Sequence, residues 1–536
     1  IIADRDRHKT RSSGTAQTDS TMNIVLFYYL FQVLWAIPTL VLSHTATYSN
    51  SSFQVSNLPD SPALPTSWAG RLPVPGSQGN EIFFWLFDAE KTVYDDNLII
   101  WLNGGPGCSS LIGLATGNGP IGFAGDSTRL VSNPYSWTKL GHVLYVDQPV
   151  GTGFSLASSL VRTNEQVTAD LALWLRALFK QLPHLQSKKV HLMGESYAGI
   201  FVPYLASALM KGNHSFPINL RSMSLGDGSW GNAAAMSSVA IGTYMHSQAS
   251  RLDAPKKILD TFALADEFCK FDSVLEAART YPPVGKIQIP GNPEYVNYRR
   301  RLRRRRDTNL GILDGSCDAN VSTPHEVLSS IFNSSCYGPC ATFSTAENYM
   351  YARSAEDSNP PCFSLYDLTH NCKTINPIPL LERYFSRKDV QAALHIPDSG
   401  TYTACNNTIL STLTESEFVE PPEYAILPSL VTAHNVSLHI YNGEMDMLIN
   451  HIGAELSIQN MTWRGLQGFQ KRPTRRFYAN DAAPTARSKQ KVAGTWASER
   501  GVSYHLFEGA GHSVFATKQK EMFAFVRDVV VGGKAN

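Results

Sequence analysis

Gly194-Glu195-Ser196-Tyr197-Ala198-Gly199 decides how this chain is read. The serine stands between Lys189 to Met193, a short apolar run that predicts a strand, and Tyr197 to Lys211, which predicts a helix. This approximates G-x-S-x-G, the sharp strand-to-helix turn that lifts a serine hydroxyl to where a base and a substrate both reach it. The glycines give such a turn its room. The same short pattern also closes ordinary strands, so its meaning depends on partners elsewhere.

A nucleophilic serine needs a base, and in α/β-hydrolases the partners follow in the order Ser, Asp or Glu, His. Ser437 to Tyr441 reads as a strand running into Asn442-Gly443-Glu444-Met445-Asp446, which sets Asp446 on a loop at a strand end. Val502 to Phe507 is a second strand, followed by Glu508-Gly509-Ala510-Gly511-His512. One loop histidine among 15 says little, but an ordered series of Ser196, Asp446 and His512 at three strand ends says much. Upstream, Asn97 to Leu102 is an uninterrupted apolar strand of the buried parallel kind. It opens into Asn103-Gly104-Gly105-Pro106-Gly107-Cys108-Ser109-Ser110. Backbone N–H groups unshielded by side chains are what a tetrahedral oxyanion requires. The predicted fold is therefore α/β, an α/β-hydrolase with a mostly parallel central sheet, helices on both faces and an inserted lid.

Three longer segments carry a resemblance. Trp101 to Ser110 (WLNGGPGCSS), Val146 to Ser155 (VDQPVGTGFS) and Gly194 to Gly199 (GESYAG) resemble the serine carboxypeptidase family in sequence and order, with weaker matches from about residue 53 to the C-terminus. The weaker ones include Gly226-Asp227-Gly228 and Gly509 to His512. The resemblance implies Ser196 as nucleophile, His512 as general base and acid, Asp446 as its orienting group, and the N–H groups of Gly105 and Tyr197 as oxyanion hole. It further implies that Asn103, Gly104 and Glu195 hold the substrate's terminal carboxylate, with Trp101 supporting them, and that Cys108 pairs with Cys405. No cofactor or metal is called for. Two departures stand out. Gly117 occupies the place of a second glutamate that shares a proton with the first, and Ser513, Val514 and Phe515 follow the histidine where the family has Met and then Val-Pro. Without its like-charged neighbour, Glu195 is expected to be less elevated in pKa. Gly117→Glu is accordingly expected to strengthen recognition of free-acid peptides.

At 536 residues and 43% hydrophobic the chain can bury a large core, and a net charge of +1 argues against a nucleic-acid partner. Residues 1–21 read as a gene-model extension and 22–46, apolar and almost uncharged, as a signal peptide. No later run is long enough to span a membrane, so a secreted location, or alternatively a vacuolar one, is expected. All eight cysteines follow that segment, which fits an oxidising compartment, and their pairing is open on number alone. Glycosylation sequons stand at Asn50, Asn213, Asn320, Asn333, Asn406, Asn435 and Asn460.

The strand–helix rhythm runs over 53–232, is lost over 233–372, which holds six of the eight cysteines, and resumes over 373–536. This predicts one discontinuous hydrolase domain with 233–372 inserted as a lid. Within the lid, Arg299 to Arg306 has seven arginines in eight positions, a self-repelling exposed loop and a candidate cut site for a dibasic processing protease. The partners expected are peptide or protein C-termini. Acyl transfer or ester hydrolysis by the same triad is the alternative reading, and a secreted non-catalytic binding protein a third.

Overall fold

Asn97–Leu102 (β3) is buried at every position, and its side chains divide between two cores: Leu98, Ile100 and Leu102 on one face, Ile99 and Trp101 on the other. Such a strand needs helices on both sides. The computed structural model describes residues 50–211, 218–290, 322–332, 340–357, 362–397, 399–415, 420–479 and 492–533. The expectations for 1–21, 22–46, the arginine run 299–306, Asn213, Asn320 and Asn333 lie outside the described residues.

Ten strands form the main sheet. They are β1 (Ser67–Pro73), β2 (Glu81–Phe87), β3, β4 (His142–Asp147), β5 (Lys189–Glu195), β6 (Asn219–Gly226), β7 (Ser437–Gly443), β8 (Arg475–Tyr478), β9 (Val492–Glu499) and β10 (Val502–Phe507). Their order is β1-β2-β4-β3-β5-β6-β7-β10-β9-β8. The block from β4 through β10 is parallel throughout, while β1, β2, β8 and β9 add antiparallel flanks. This is the α/β-hydrolase architecture expected. Of the flanking strands, β8 was not legible, because it is short and largely exposed and carries no run of buried apolar residues.

Helix α1 (Asn164–Gln181) shows why one face is covered. Thr163 caps it by accepting the Gln166 N–H, and Val167, Leu171, Trp174, Leu175 and Leu178 make one buried stripe at helical spacing. It packs beside α2 (Ala198–Lys211), whose Phe201, Val202 and Leu205 enter the same core. Each fully buried side chain of this size stabilises the fold by roughly 1.5–3 kcal/mol relative to exposure. The strand ends that carry the candidate site are thus anchored in the most stable part of the molecule.

The halves on either side of 233–372 meet directly, with Leu225 of β6 opposite Ile440 of β7 and Gly226 opposite Tyr441. Where described, the intervening stretch includes the helices α3 (Ser238–Ser247), α4 (Lys256–Phe268), α5 (Phe271–Ala278), α6 (Pro324–Phe332) and α7 (Thr342–Asp357). It builds its own apolar clusters, Ile241, Tyr244, Phe262, Val327 and Ile331 in one, Phe271, Val274 and Leu275 in another. Helix α8 (His451–Asn460) contributes Leu456 to the second.

Disulfides join Cys108 to Cys405, the pair the resemblance implied, Cys269 to Cys340, and Cys362 to Cys372. The first two bridge the positions of the arginine run in sequence. A cut near residue 300 would therefore leave both pieces linked and the β6–β7 pairing untouched. The protein from its native host is expected to run as one band on a non-reducing gel and as two under reduction. A single intact chain under reduction would contradict cleavage.

Candidate active site

β5 continues two residues beyond its predicted end, to Glu195, and α2 begins at Ala198, so Ser196 and Tyr197 make the whole turn. Ser196 has φ +61°, a left-handed conformation that costs a non-glycine residue roughly 1–2 kcal/mol. Hydrogen bonds hold it there: its N–H donates to the Gly226 carbonyl (3.0 Å), and its carbonyl accepts from Gly199 N (2.9 Å) and Ser229 N (3.0 Å). The elbow signature is not literal, since its last position is Ala198 and glycine comes one residue later. A Cβ on Gly194 would lie 2.6 Å from Ala198 Cβ, and one on Gly199 would lie 2.6 Å from Ser229 N. Glycine is needed where strand, helix and the next loop press together.

The loop after β3 reaches the same turn. A Cβ at Gly104 would sit 2.5 Å from Tyr197 N and 2.9 Å from Ser196 Cβ, so the backbone of the loop lies against the elbow with no room for a side chain. Gly105 adopts φ +107°, which favours glycine. Asp147 fixes this loop from below. Its Oδ1 accepts from Ser109 Oγ (2.6 Å) and Ser110 N (3.0 Å), and its Oδ2 from Phe154 N (3.0 Å). Burial pushes the Asp147 carboxyl up to about 6, against the pull of these three donors. On the outer side Ser109 N donates to Ala404 O and Asn406 N to Gly107 O, beside the Cys108–Cys405 bridge.

His512 and Asp446, 66 residues apart, meet at 2.7 Å through Nδ1 and Oδ2. Asp446 is wholly buried, and its Oδ1 accepts from Leu448 N (2.9 Å) and Ile449 N (3.2 Å). Burial by itself would lower the imidazole pKa, but the Asp446 carboxylate and, more weakly, Glu195 outweigh it and hold His512 above its ordinary value. The end of the insertion grips both loops. Leu368 N donates to Met445 O, Met447 N to Leu365 O and His512 N to Tyr366 O, and the Tyr366 ring stands edge-on to His512 at 5.2 Å. His512 Nε2 makes no hydrogen bond among the described residues, so a Ser196–His512 bond is not formed here.

Next in chain to Ser196 is Glu195, and next to His512 is Ser513. These two meet: Ser513 Oγ donates to Glu195 Oε1 at 3.0 Å. Glu195 is 4% exposed, and its Oε2 is buried without a partner. Burial raises its carboxyl to about 7, with His512 and Ser513 pulling the other way. Desolvation thus supplies a large rise even without a second acid. The expectation for Gly117→Glu needs correcting. A Cβ at 117 would stand 2.1 Å from the Phe515 carbonyl oxygen, so the backbone that follows Ser513 fills the space a glutamate would need. Asn103 Oδ1 accepts from Trp101 Nε1 (2.7 Å) and Gly113 N (3.1 Å), which fixes its amide and turns Nδ2 away from both.

The residue series read from sequence is thus gathered at adjoining strand ends, with Ser196, His512 and Asp446 beside Glu195, Gly104 and Tyr197. Asp147 and Ser513 were missed as site residues, although both stood inside or next to quoted motifs. Of the sequons, Asn406 donates its Nδ2 to the Gly151 carbonyl (2.9 Å).

A family model described as serine carboxypeptidase matches residues 59–532. A curated relative named carboxypeptidase Y homolog, from Arthroderma benhamiae, is 44% identical over 497 residues, covering 91% of this chain and 95% of its own length. A pheromone-processing carboxypeptidase kex1 from Neosartorya fischeri is 27% identical, over 94% of this chain and 71% of its own. Among solved structures, Kex1(delta)p, a prohormone-processing carboxypeptidase from Saccharomyces cerevisiae, superposes with TM-score 0.66 at 21% identity, covering 91% of this chain and 97% of that one, and shares its fold. On the family match across almost the whole described region and the 44% relative, the chain belongs to the serine carboxypeptidase family.

Proposed function

We propose that Ser196, His512 and Asp446 are the catalytic triad of this serine carboxypeptidase and that Glu195 reads the substrate's terminal carboxylate. One observation carries the reading: the Glu195–Ser513 hydrogen bond ties the nucleophile loop to the base loop one residue away from each reacting group. Ser196 Oγ attacks the carbonyl of the last peptide bond as His512 Nε2 takes its proton. The oxyanion lies toward the N–H groups of Gly105 and Tyr197. His512 returns the proton to the departing amine, the terminal amino acid leaves, and water repeats the sequence on the acyl-enzyme. Asp446 keeps Nδ1 protonated throughout and steadies the imidazolium.

Selection for a free C-terminus needs donors. Asn103 Nδ2 and Gly104 N–H supply two, and Glu195, neutral below about 7, supplies a third through Oε2. This makes an uncharged acid the hydrogen-bond donor to a charged one. The three disulfides among the described residues support an oxidising compartment, which both a secreted and a vacuolar location satisfy. No helix among the described residues is long and apolar enough to cross a membrane.

Ser196→Ala is expected to lower kcat by on the order of 10⁴- to 10⁶-fold, and an organophosphorus reagent to label Ser196 in the parent. Substantial turnover by the alanine variant would remove the assignment. Ser513 offers a second test. Its hydroxyl favours the ionised form of Glu195, so Ser513→Ala moves that carboxyl further up while loosening its position. We expect KM for free-acid peptides to rise roughly 3- to 10-fold at acidic pH, and its further increase with pH to begin at higher pH than in the parent. Ser513→Thr should restore both. An unchanged KM profile in the alanine variant would contradict a role for Ser513.

A further inference from the structure

Asp227 lies at the end of β6, is wholly buried and enters none of the steps above. Its backbone takes φ +41°, held by its N–H to the Tyr441 carbonyl (2.9 Å). Oδ1 accepts from Gly443 N (2.9 Å) and Asn442 Nδ2 (3.2 Å). Oδ2 is equally buried and meets no donor among the described residues. Its neighbour is another carboxylate. Side-chain ligand atoms of Asp227, Asp446 and His512 all lie within 4.8 Å of one another.

Two carboxylates this close do not both stay ionised. Asp446 has His512 and two backbone amides to favour its charge, whereas the Oδ2 of Asp227 has nothing, so the proton belongs on Asp227. The other titratable groups facing it are Glu195 from β5, Tyr244 from α3, Tyr441 from β7 and Tyr504 from β10. Burial first, and then Asp446, press the Asp227 carboxyl well above the usual carboxylate range, while the three tyrosines are themselves pushed up and stay neutral.

We propose that Asp227 is a positioning residue of the triad, carrying its proton on Oδ2 and donating it in a hydrogen bond to Asp446. The inference rests on the assignment of His512 and Asp446 above. It adds a side-chain donor to the orienting carboxylate beside His512 and the amides of Leu448 and Ile449, and by drawing charge from Asp446 it tempers the basicity of His512. No proton is transferred in the cycle through Asp227.

Asparagine at 227 keeps an acceptor for Gly443 and a donor toward Asp446; leucine keeps neither. With the full-length enzyme and a chromogenic ester, Asp227→Asn should hold kcat within roughly threefold of the parent. Asp227→Leu should lose on the order of 10- to 100-fold. Loss of the donor makes Asp446 a stronger partner for the imidazolium, so the acid limb of kcat should move to higher pH in the leucine variant and return in the asparagine one. The infrared difference spectrum of Asp227→Asn against the parent, taken above the titration of Glu195, should lose the carbonyl stretch of a protonated acid. That measurement decides the matter even if the leucine variant does not fold. Loss of carboxylate stretches only, an asparagine variant as impaired as the leucine one, or a leucine variant equal to the parent would each overturn the proposal. Parent-like turnover by Ser196→Ala would instead strike the triad assignment beneath it.

Discussion

A carboxylate with no access to water dictates how this site is built. Asp446 is wholly buried, and an ionised carboxylate taken out of water costs several kcal/mol unless hydrogen bonds replace its hydration. Two come from backbone amides and the third from His512. Those donors exist only if the loop after β7 and the loop after β10 keep their positions, and the insertion's last segment, 365–368, is bonded to both. The insertion is therefore part of the support of the Asp446–His512 pair. Removing its grip would free the very loops that carry His512 and Asp446.

The same shortage of water governs Glu195. A second glutamate is one way to keep Glu195 neutral, and this chain has no space for it, because the Phe515 carbonyl occupies the volume beside Gly117. Burial takes over that task, and Ser513 fixes the geometry. The two departures from the family pattern, at 117 and 513, meet in one stretch of backbone: the chain after His512 lies against Gly117 and sets Ser513 on Glu195.

Much of this was legible in sequence. The strands Asn97–Leu102 and Val502–Phe507 agree residue for residue with their predicted bounds, because each is a buried apolar run ended by turn residues. The three strand-end loops that carry Gly104, Ser196 and His512 follow from the same pattern. What sequence did not convey is contact across the fold. Nothing around Asp147 marks it as the pin of a loop nearly forty residues earlier, and Ser513 reads as a simple replacement until Glu195 is seen opposite it. Gly117 misled for the same reason. A missing side chain looks like a vacancy in one dimension, while in three it is filled by another part of the backbone.

The central claim is that a buried neutral Glu195 makes the enzyme an exopeptidase. It is tested most directly by kcat/KM for a blocked dipeptide with a free C-terminus against its C-terminal amide, followed across about pH 5 to 8. The account predicts preference for the free acid at acidic pH, shrinking as Glu195 ionises near about 7. Equal rates on acid and amide throughout, or a preference that grows with pH, would contradict it.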